Sequence, residues 1–595
     1  MSDEAFDELM KALEPRVDDP DRLERLVDRL AQQLPTHVDG GALAGELRPL
    51  LEQSAAPAEV LLFLVRLAQS DAAEAVFDEL DDVSVFVELA RQGAYPARTL
   101  LRHPEDLSYL STSVEGGLAR DVSSLVAELD ERLSDGGDEF EQRVHRELRR
   151  LKRRESLRIF LREVRGQASL RETTHEIAAL AEACLRCSVE RGAEALGRPG
   201  LVDHFCVFGM GKLGGRELNF SSDVDLIYMA SPDASADAEL AEALDRLAKW
   251  VTAAMEVTGE GGYVFRVDLR LRPEGSKGPL VPTLDAMEEY YQSWGRTWER
   301  SAMLKARPVA GNLAMGEELL DRLQSFLYRK YLDFGVIDEL RGMKEKINQN
   351  ARAAAHITAE SDDDAAEEPP STESSLKSRL RAKMKRAGVR DQQRRGRAPR
   401  LSSSASTQQA PETSEPEDDH PGLILGWDVK IGVGGIREIE FFVQALQLIH
   451  CGTRPHLRVR GTLDALDRLL YAGLISHEDH AVLADAYDLF RRVEHRIQME
   501  HDRQSHRIST DRGEFEKLAR RLFVEPTSLE NRLVDYRQSV SEMFQRLFEE
   551  SEQRPEKPTV GLERSDELAT VFGAPLDRML EAPVLDALES LGFNR

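Results

Sequence analysis

The chain has only four cysteines in 595 residues, too few for a disulfide framework. A reducing compartment, the cytoplasm, is therefore the expectation. Aromatic residues make up 6%, which suits a helix-rich architecture better than a β-sandwich. No run of eighteen or more apolar residues occurs, so the sequence offers no membrane-spanning helix. The start, Met1-Ser2-Asp3-Glu4-Ala5, is acidic and polar, where a secretory signal needs basic residues and an apolar stretch. Positive charge is also short: 79 Lys and Arg face 107 Asp and Glu, a net charge of -28. Such a field repels phosphate backbones and argues against nucleic acid as a partner. It leaves nucleotides open, because metal ions in a local site overrule the global field.

What is present suits a soluble globular protein of several domains: 41% of residues are apolar, and the length exceeds what one core supports. Residues 1–200 read as an N-terminal helical region, with apolar spacing of three or four and no clean repeat. Ala58 to Leu67 and Phe140 to Val164 are examples, the second dense in Arg, Glu and Leu. Cys184 and Cys187 lie in a predicted helix, Thr174 to Arg191, without a second pair, and read as buried helix residues. The pattern changes near residue 202, and 201–345 reads as a catalytic domain with flanking helices. Residues 353–420 run from acidic to basic to Ser, Gln, Pro and Glu. They read as a disordered low-complexity insertion, because such a composition cannot bury enough apolar area to offset its ordering entropy. Its basic block, Lys377 to Arg400, reads as a solvated tether. Residues 421–550 read as a helical bundle, with Ile439, Phe442, Val443, Leu446 and Leu448 in one dense apolar helix. Residues 551–595 read as a linker and the start of something further. His501-Asp502, near His495 and His506, reads as a polar helix end rather than a metal site. Gly432 to Glu440 is a glycine turn opening a helix, an anion site or a structural turn with equal warrant.

The stretch that carries chemistry runs from Gly209 to Leu226. Val202 to Phe208 predicts a strand that enters the turn Gly209-Met210-Gly211-Lys212-Leu213-Gly214-Gly215-Arg216. Glycines let backbone N–H groups approach a phosphate without a Cβ in the way, and Lys212 and Arg216 add positive charge. Asn219-Phe220-Ser221-Ser222-Asp223-Val224-Asp225 then leads into a second strand. Residues two apart on a strand share a face, so Asp223 and Asp225 converge while Val224 and Leu226 face the core. Adjacent carboxylates repel unless a cation lies between them, and Mg²⁺ is the usual one. A helix with Leu240, Leu244, Leu247, Val251 and Ala254 on one face follows, closed by Gly259, Gly261 and Gly262. A third strand, Tyr263 to Leu271, puts Arg266, Asp268, Arg270 and Arg272 on one face, so Asp268 completes an acidic triad. Helices are expected from Leu284 to Trp294 and from Thr297 to Arg307. Glycine turn, paired Asp and later Asp together form the layout of metal-assisted phosphoryl or nucleotidyl transfer.

At these residues the sequence resembles the glutamine synthetase adenylyltransferase family. Further matching stretches are Val267-Asp268-Leu269-Arg270-Leu271-Arg272-Pro273, Tyr290-Tyr291, Trp298-Glu299-Arg300 and Lys305-Ala306-Arg307. So are Gly434-Gly435-Ile436-Arg437-Glu438-Ile439-Glu440-Phe441, Arg491-Arg492-Val493-Glu494-His495 with Gln498, and Arg98-Thr99-Leu100-Leu101-Arg102-His103-Pro104. The likeness spans the chain except 353–420. It implies a mainly α protein with an embedded α+β, polymerase-β-like nucleotidyltransferase domain and a helical bundle after it. Family members carry two halves. One attaches AMP to a tyrosine of glutamine synthetase using ATP, and the other removes it by phosphorolysis to give ADP, under control of PII signalling protein and glutamine. The wording here is more similar to the N-terminal, AMP-removing half. The expectation is a fragment or split gene, with 551–595 opening the second half. On the reading of metal-assisted transfer, Asp223, Asp225 and Asp268 hold Mg²⁺ and are the catalytic residues. Phosphate contacts are expected from Gly209, Gly211, Lys212, Gly214, Gly215, Ser222, Arg270, Arg272 and Lys305, the glycines by backbone and the bases by charge. The attaching reaction, or transfer to another protein or small molecule, stays open as an alternative.

Overall fold

The structure is a computed structural model that describes residues 2–115, 117–134, 139–329, 342, 423–501 and 504–552. The expected insertion at 353–420, Asp502 and residues 553–595 lie outside the described residues. The chain divides into two compact units, Met1–Phe544 and Gln545–Arg595. Of the second, only the end of the helix Pro526–Glu552 is described.

The first unit is mainly helical, with one four-stranded mixed sheet. Helices follow one another from Ser2–Leu13 to Leu170–Ala195. Side-chain oxygens start several of them: Asp19, Asp39 and Asp121 accept from backbone N–H groups of the first turn, and Ser169 with Glu172 forms a capping box. The helix Phe140–Val164 agrees with the sequence reading in its bounds, yet its charged residues are buried. Most of its buried arginines and glutamates survive burial by pairing with one another. Arg158 Nε is 2.8 Å from Glu155 Oε2 and Arg158 Nη2 is 2.5 Å from Glu176 Oε1, while Arg162 pairs with the same Glu176. Cys184 and Cys187 are buried in the helix Leu170–Ala195, as expected. Among the described residues no helix is long and apolar enough to cross a membrane.

The strands are β1 (Phe205–Gly209), β2 (Val224–Ala230), β3 (Val267–Asp268) and β4 (Arg307–Gly311), in the order β3-β2-β1-β4. β1 pairs antiparallel with β2 and β4, and β2 pairs parallel with β3. A parallel pair needs a crossover, here the helix Ala238–Glu256. Alternation divides the sheet between two cores. Phe205, Val207, Val224, Leu226 and Tyr228 pack on the N-terminal helices and the crossover helix. Cys206, Phe208, Ile227 and Met229 pack on Leu284, Met287 and Tyr291 of the helix Leu284–Trp294. β4 was not expected. The predicted helix from Thr297 to Arg307 stops at Met303, and Arg307, for which Pro308 disfavours helical backbone, opens β4 instead. The third strand is also shorter than its predicted Tyr263–Leu271 span. Val264 and Phe265 N–H groups turn back to Met255 O, and Arg270 N bonds the Asp268 side chain, so only two residues remain for the ladder. Gly259 and Gly262 do not cap the crossover helix; they pair with each other in a tight turn beyond it.

The later helices include Ile436–His450, Thr462–Tyr471 and His477–His501. Gly432 to Gly435 closes on itself as a backbone turn before the first of these. The last of these ends at His501, where a helix end was expected, and His495 lies inside it. His495 is fully buried, and its Nδ1 is 2.8 Å from Glu163 Oε2. Arg496 Nη1 is 2.6 Å from Glu163 Oε1. Burial alone would raise the Glu163 carboxyl, but His495 and Arg496 outweigh it and hold it well below the ordinary carboxylate range.

Glu163 therefore ties an early helix to a late one at a point without solvent. Glu163→Ala leaves two buried bases unanswered and is expected to cost about 3–5 kcal/mol of stability, read as a lower denaturation midpoint. Because its folded pKa is depressed, the Glu163 contribution is present at neutral pH and is lost as pH falls through and below the ordinary carboxylate range. An unchanged midpoint at pH 7 would contradict this role.

Candidate active site

β1 ends at Gly209 and the chain turns at once into the short helix Gly211–Gly214. Two glycines make the turn possible. A Cβ on Gly214 would lie 1.9 Å from Lys305 O, so no side chain fits there. Gly211 has φ +49°, and a Cβ on it would lie 3.0 Å from Asp225 Oδ2. The same turn is fastened to β2 by Met210 N, which donates to Asp225 O at 2.8 Å.

Asp225 is paired in register with Asp268 across the parallel β2–β3 ladder. Burial, then Asp268 and Asp223, push the Asp225 carboxyl up to about 6, against the opposing pull of Lys430 and Arg270. Its carboxylate accepts no hydrogen bond from a described residue. The other two acids are engaged. Asp268 takes Arg270 Nε at 2.9 and 3.0 Å and Arg270 N at 2.8 Å, and that guanidinium lowers its pKa. Asp223 takes Arg266 Nε at 2.5 Å and Gln504 Nε2 at 3.1 Å. Among the described residues, no three His, Cys, Asp or Glu side chains are gathered closely enough to hold a metal ion. The donor set still fits a hard divalent cation. It is all carboxylate oxygen, and Asp225 carries a charge its neighbours oppose and no donor relieves. The Arg270 side chain that covers Asp268 is 83% exposed and can give way.

The other expected residues are distributed unevenly. Gly209, Gly211, Gly214 and Gly215 form the turn, and Ser222 stands next to Asp223 at its far end. Lys212 Nζ lies 3.4 Å from the buried Glu494. Burial pushes the Lys212 ammonium down to about 7, against the pull of Glu494. Arg272 Nη1 donates to Leu269 O at 2.7 Å, in the loop after β3. Lys305 is not brought to the acids. It is buried, paired with Glu217 and 3.1 Å from Thr462 Oγ1, so a phosphate would have to compete with Glu217 for it.

Four participants carried no assigned role from sequence: Lys430, Gln504, Glu494 and Gln498. Lys430 acts on Asp225, and its Nζ is 3.5 Å from His506 Nε2. Glu494 Oε1 lies 2.9 Å from His506 Nδ1 as well as 3.4 Å from Lys212 Nζ. Gln498 Oε1 accepts from Ser221 N at 3.2 Å, while Arg491 bonds Asn219 Oδ1 and, at 2.7 Å, Glu217 O. Arg491, Glu494 and Gln498 are three and four residues apart on one helix, a polar stripe that betrays a docked face.

Comparison with known proteins completes the description. The family model described as glutamate-ammonia ligase adenylyltransferase matches residues 83–322, and that described as GlnD PII-uridylyltransferase matches 406–548. Three similar proteins bear the name bifunctional glutamine synthetase adenylyltransferase/adenylyl-removing enzyme. That of Nitrosococcus oceani is 34% identical over 76% of this chain and 41% of its own length. That of Pseudomonas syringae is 32% identical over 82% and 43%, and that of Xanthomonas campestris 36% over 63% and 34%. The chain thus spans about two fifths or less of the length of these relatives.

Because its folded pKa is raised, Asp225 favours the folded state at low pH and opposes it as pH rises through about 6. In the metal-free protein Asp225→Asn is therefore expected to raise the unfolding midpoint at pH 8, by about 1–3 kcal/mol of stability, with the gain shrinking toward pH 4. A lower midpoint at pH 8 would contradict the crowding of charge at this point.

Proposed function

The chain belongs to the glutamate-ammonia ligase adenylyltransferase family, and from that premise we propose that it is an enzyme that removes AMP from a tyrosine of glutamine synthetase by phosphorolysis, releasing ADP. The observation that carries the reading is the in-register pair Asp225 and Asp268 beside the Gly211–Gly214 turn. The direction rests on the resemblance of Asn219-Phe220-Ser221-Ser222-Asp223 and Gly434-Gly435-Ile436-Arg437-Glu438-Ile439-Glu440 to the AMP-removing half.

Asp225 and Asp268, with Asp223, would hold Mg²⁺. When bound, the cation would supply Lewis-acid polarisation of the transferred phosphoryl group. The glycine turn keeps side chains away from Asp225, leaving backbone at the place where phosphate oxygens approach. Arg270, released from Asp268, offsets charge that develops on those oxygens. Lys212 reinforces the turn from beneath, its charge balanced by Glu494. Arg266 holds Asp223 and, through Ser221 O at 2.7 Å, fixes the strand that delivers it.

Glutamine synthetase is the proposed protein substrate. PII signalling protein is a proposed partner of the helices after 421, on the match of that region to a PII-uridylyltransferase family model. A cytoplasmic location is proposed alongside; the four cysteines are unpaired and buried.

Purified chain, AMP-modified glutamine synthetase, Mg²⁺ and inorganic phosphate are expected to yield ADP. Asp225→Asn should cut the rate about 100-fold or more while the protein stays folded, the loss expected when charge stabilisation at the transferred group fails. AMP attachment from ATP without ADP release would reverse the direction, and full activity in the variant would remove the site.

A further inference from the structure

A cavity of about 590 Å³ has none of the three acids in its lining and is within the size range of small-molecule sites. Its walls are the end of the helix Ala94–Arg102 with His103, Lys152 and Arg153 of the helix Phe140–Val164, and the glycine loop 258–263 that leads to β3. The stretch Arg98 to Pro104 has no part in adenylyl transfer as described, yet Thr99, Arg102 and His103 from it line this space.

The charges in the wall do not balance. Arg153 is answered, with Nε 2.7 Å from Asp106 Oδ2 and Nη2 3.5 Å from Glu105 Oε1. His103 Nδ1 lies 3.2 Å from the same Glu105. Lys152 is not answered. The residue is 5% exposed and makes no hydrogen bond or ion pair with any described residue. Its stem is buried while its ammonium opens to the cavity, with the rings of Tyr263 and Phe265 5.7 and 5.9 Å away. An aromatic face compensates an ammonium only in part, so the charge that Lys152 presents to the cavity is left for a ligand to answer. Arg102, exposed at the mouth, likewise has no carboxylate partner among the described residues. The acidic side chain in the described wall, Glu260, is exposed at the rim.

We propose that this cavity is a second binding site, for a small metabolite bearing a phosphate or carboxylate group, which Lys152 and Arg102 hold by charge. The site is separate from adenylyl transfer and does not depend on that reading. It is connected to the acids, however. Arg266 donates to the hydroxyl of Tyr263 in the cavity wall and, through Nε, to Asp223 at 2.5 Å. A ligand against Tyr263 therefore presses on the arginine that positions Asp223.

Calorimetry on the full metal-free chain tests this, with inorganic phosphate and citrate titrated separately at constant ionic strength. Saturable binding of at least one anion is expected, weakened about tenfold or more by Lys152→Met and by Arg102→Ala, the loss of a charge-assisted contact. Arg102 is exposed, so its variant tests the site even if the buried Lys152 variant fails to fold. Phosphate alone assigns a phosphate-bearing ligand, citrate alone a carboxylate-bearing one, and either supports the site. No binding of either anion, affinity unchanged in the Arg102 variant, or binding abolished by Asp225→Asn would overturn it. Anion binding without ADP release would leave this site standing and remove only the proposed reaction.

Discussion

Two carboxylates, Asp225 and Asp268, face each other across a two-residue parallel ladder, and this unfavourable contact organises what surrounds it. So short a ladder cannot hold the acids together by backbone bonds alone. The crossover helix Ala238–Glu256 returns the chain alongside β2. Val224 N bonds Arg266 O at 2.8 Å, and the Arg266 guanidinium reaches back to Asp223 and Ser221 O. Strand, helix and arginine thus bring like charges together at a point that a divalent cation would relieve.

The second constraint lies beneath the glycine turn. Glu217 is buried and bonded to Lys305, to Thr462 N at 2.9 Å and to the Tyr487 hydroxyl at 3.3 Å. Burial would raise its pKa, but Lys305 outweighs that and lowers it. Together with Arg491, Glu494 and Gln498 this makes a buried polar seam between the turn and helices more than 200 residues later. A seam of charges is intolerant of misalignment, because each buried charge left without its partner is costly. The turn is therefore positioned by the later helices as much as by the sheet.

Much of this was legible in the sequence. The helices Phe140–Val164 and Leu284–Trp294 follow from apolar spacing, and the glycine turn with its paired acids follows from residue type and strand alternation. What was not legible depended on partners distant in sequence. β4 hid because Arg307-Pro308-Val309-Ala310-Gly311 has a proline and no alternation, and it is a strand only because β1 accepts it. Lys305 read as a phosphate ligand on charge alone, since nothing local reveals that Glu217 claims it. His495 stood out only as a neighbour of His501-Asp502, since nothing local reveals that Glu163, more than 300 residues earlier, claims it. The Arg491, Glu494 and Gln498 stripe was visible, but what it docks on was not.

Anomalous diffraction from crystals of the chain soaked with Mn²⁺ tests the central claim most directly. A peak bounded by the carboxylates of Asp223, Asp225 and Asp268, with Arg270 turned away, is the predicted result. Strong Mn²⁺ peaks elsewhere and none at these three acids would contradict it.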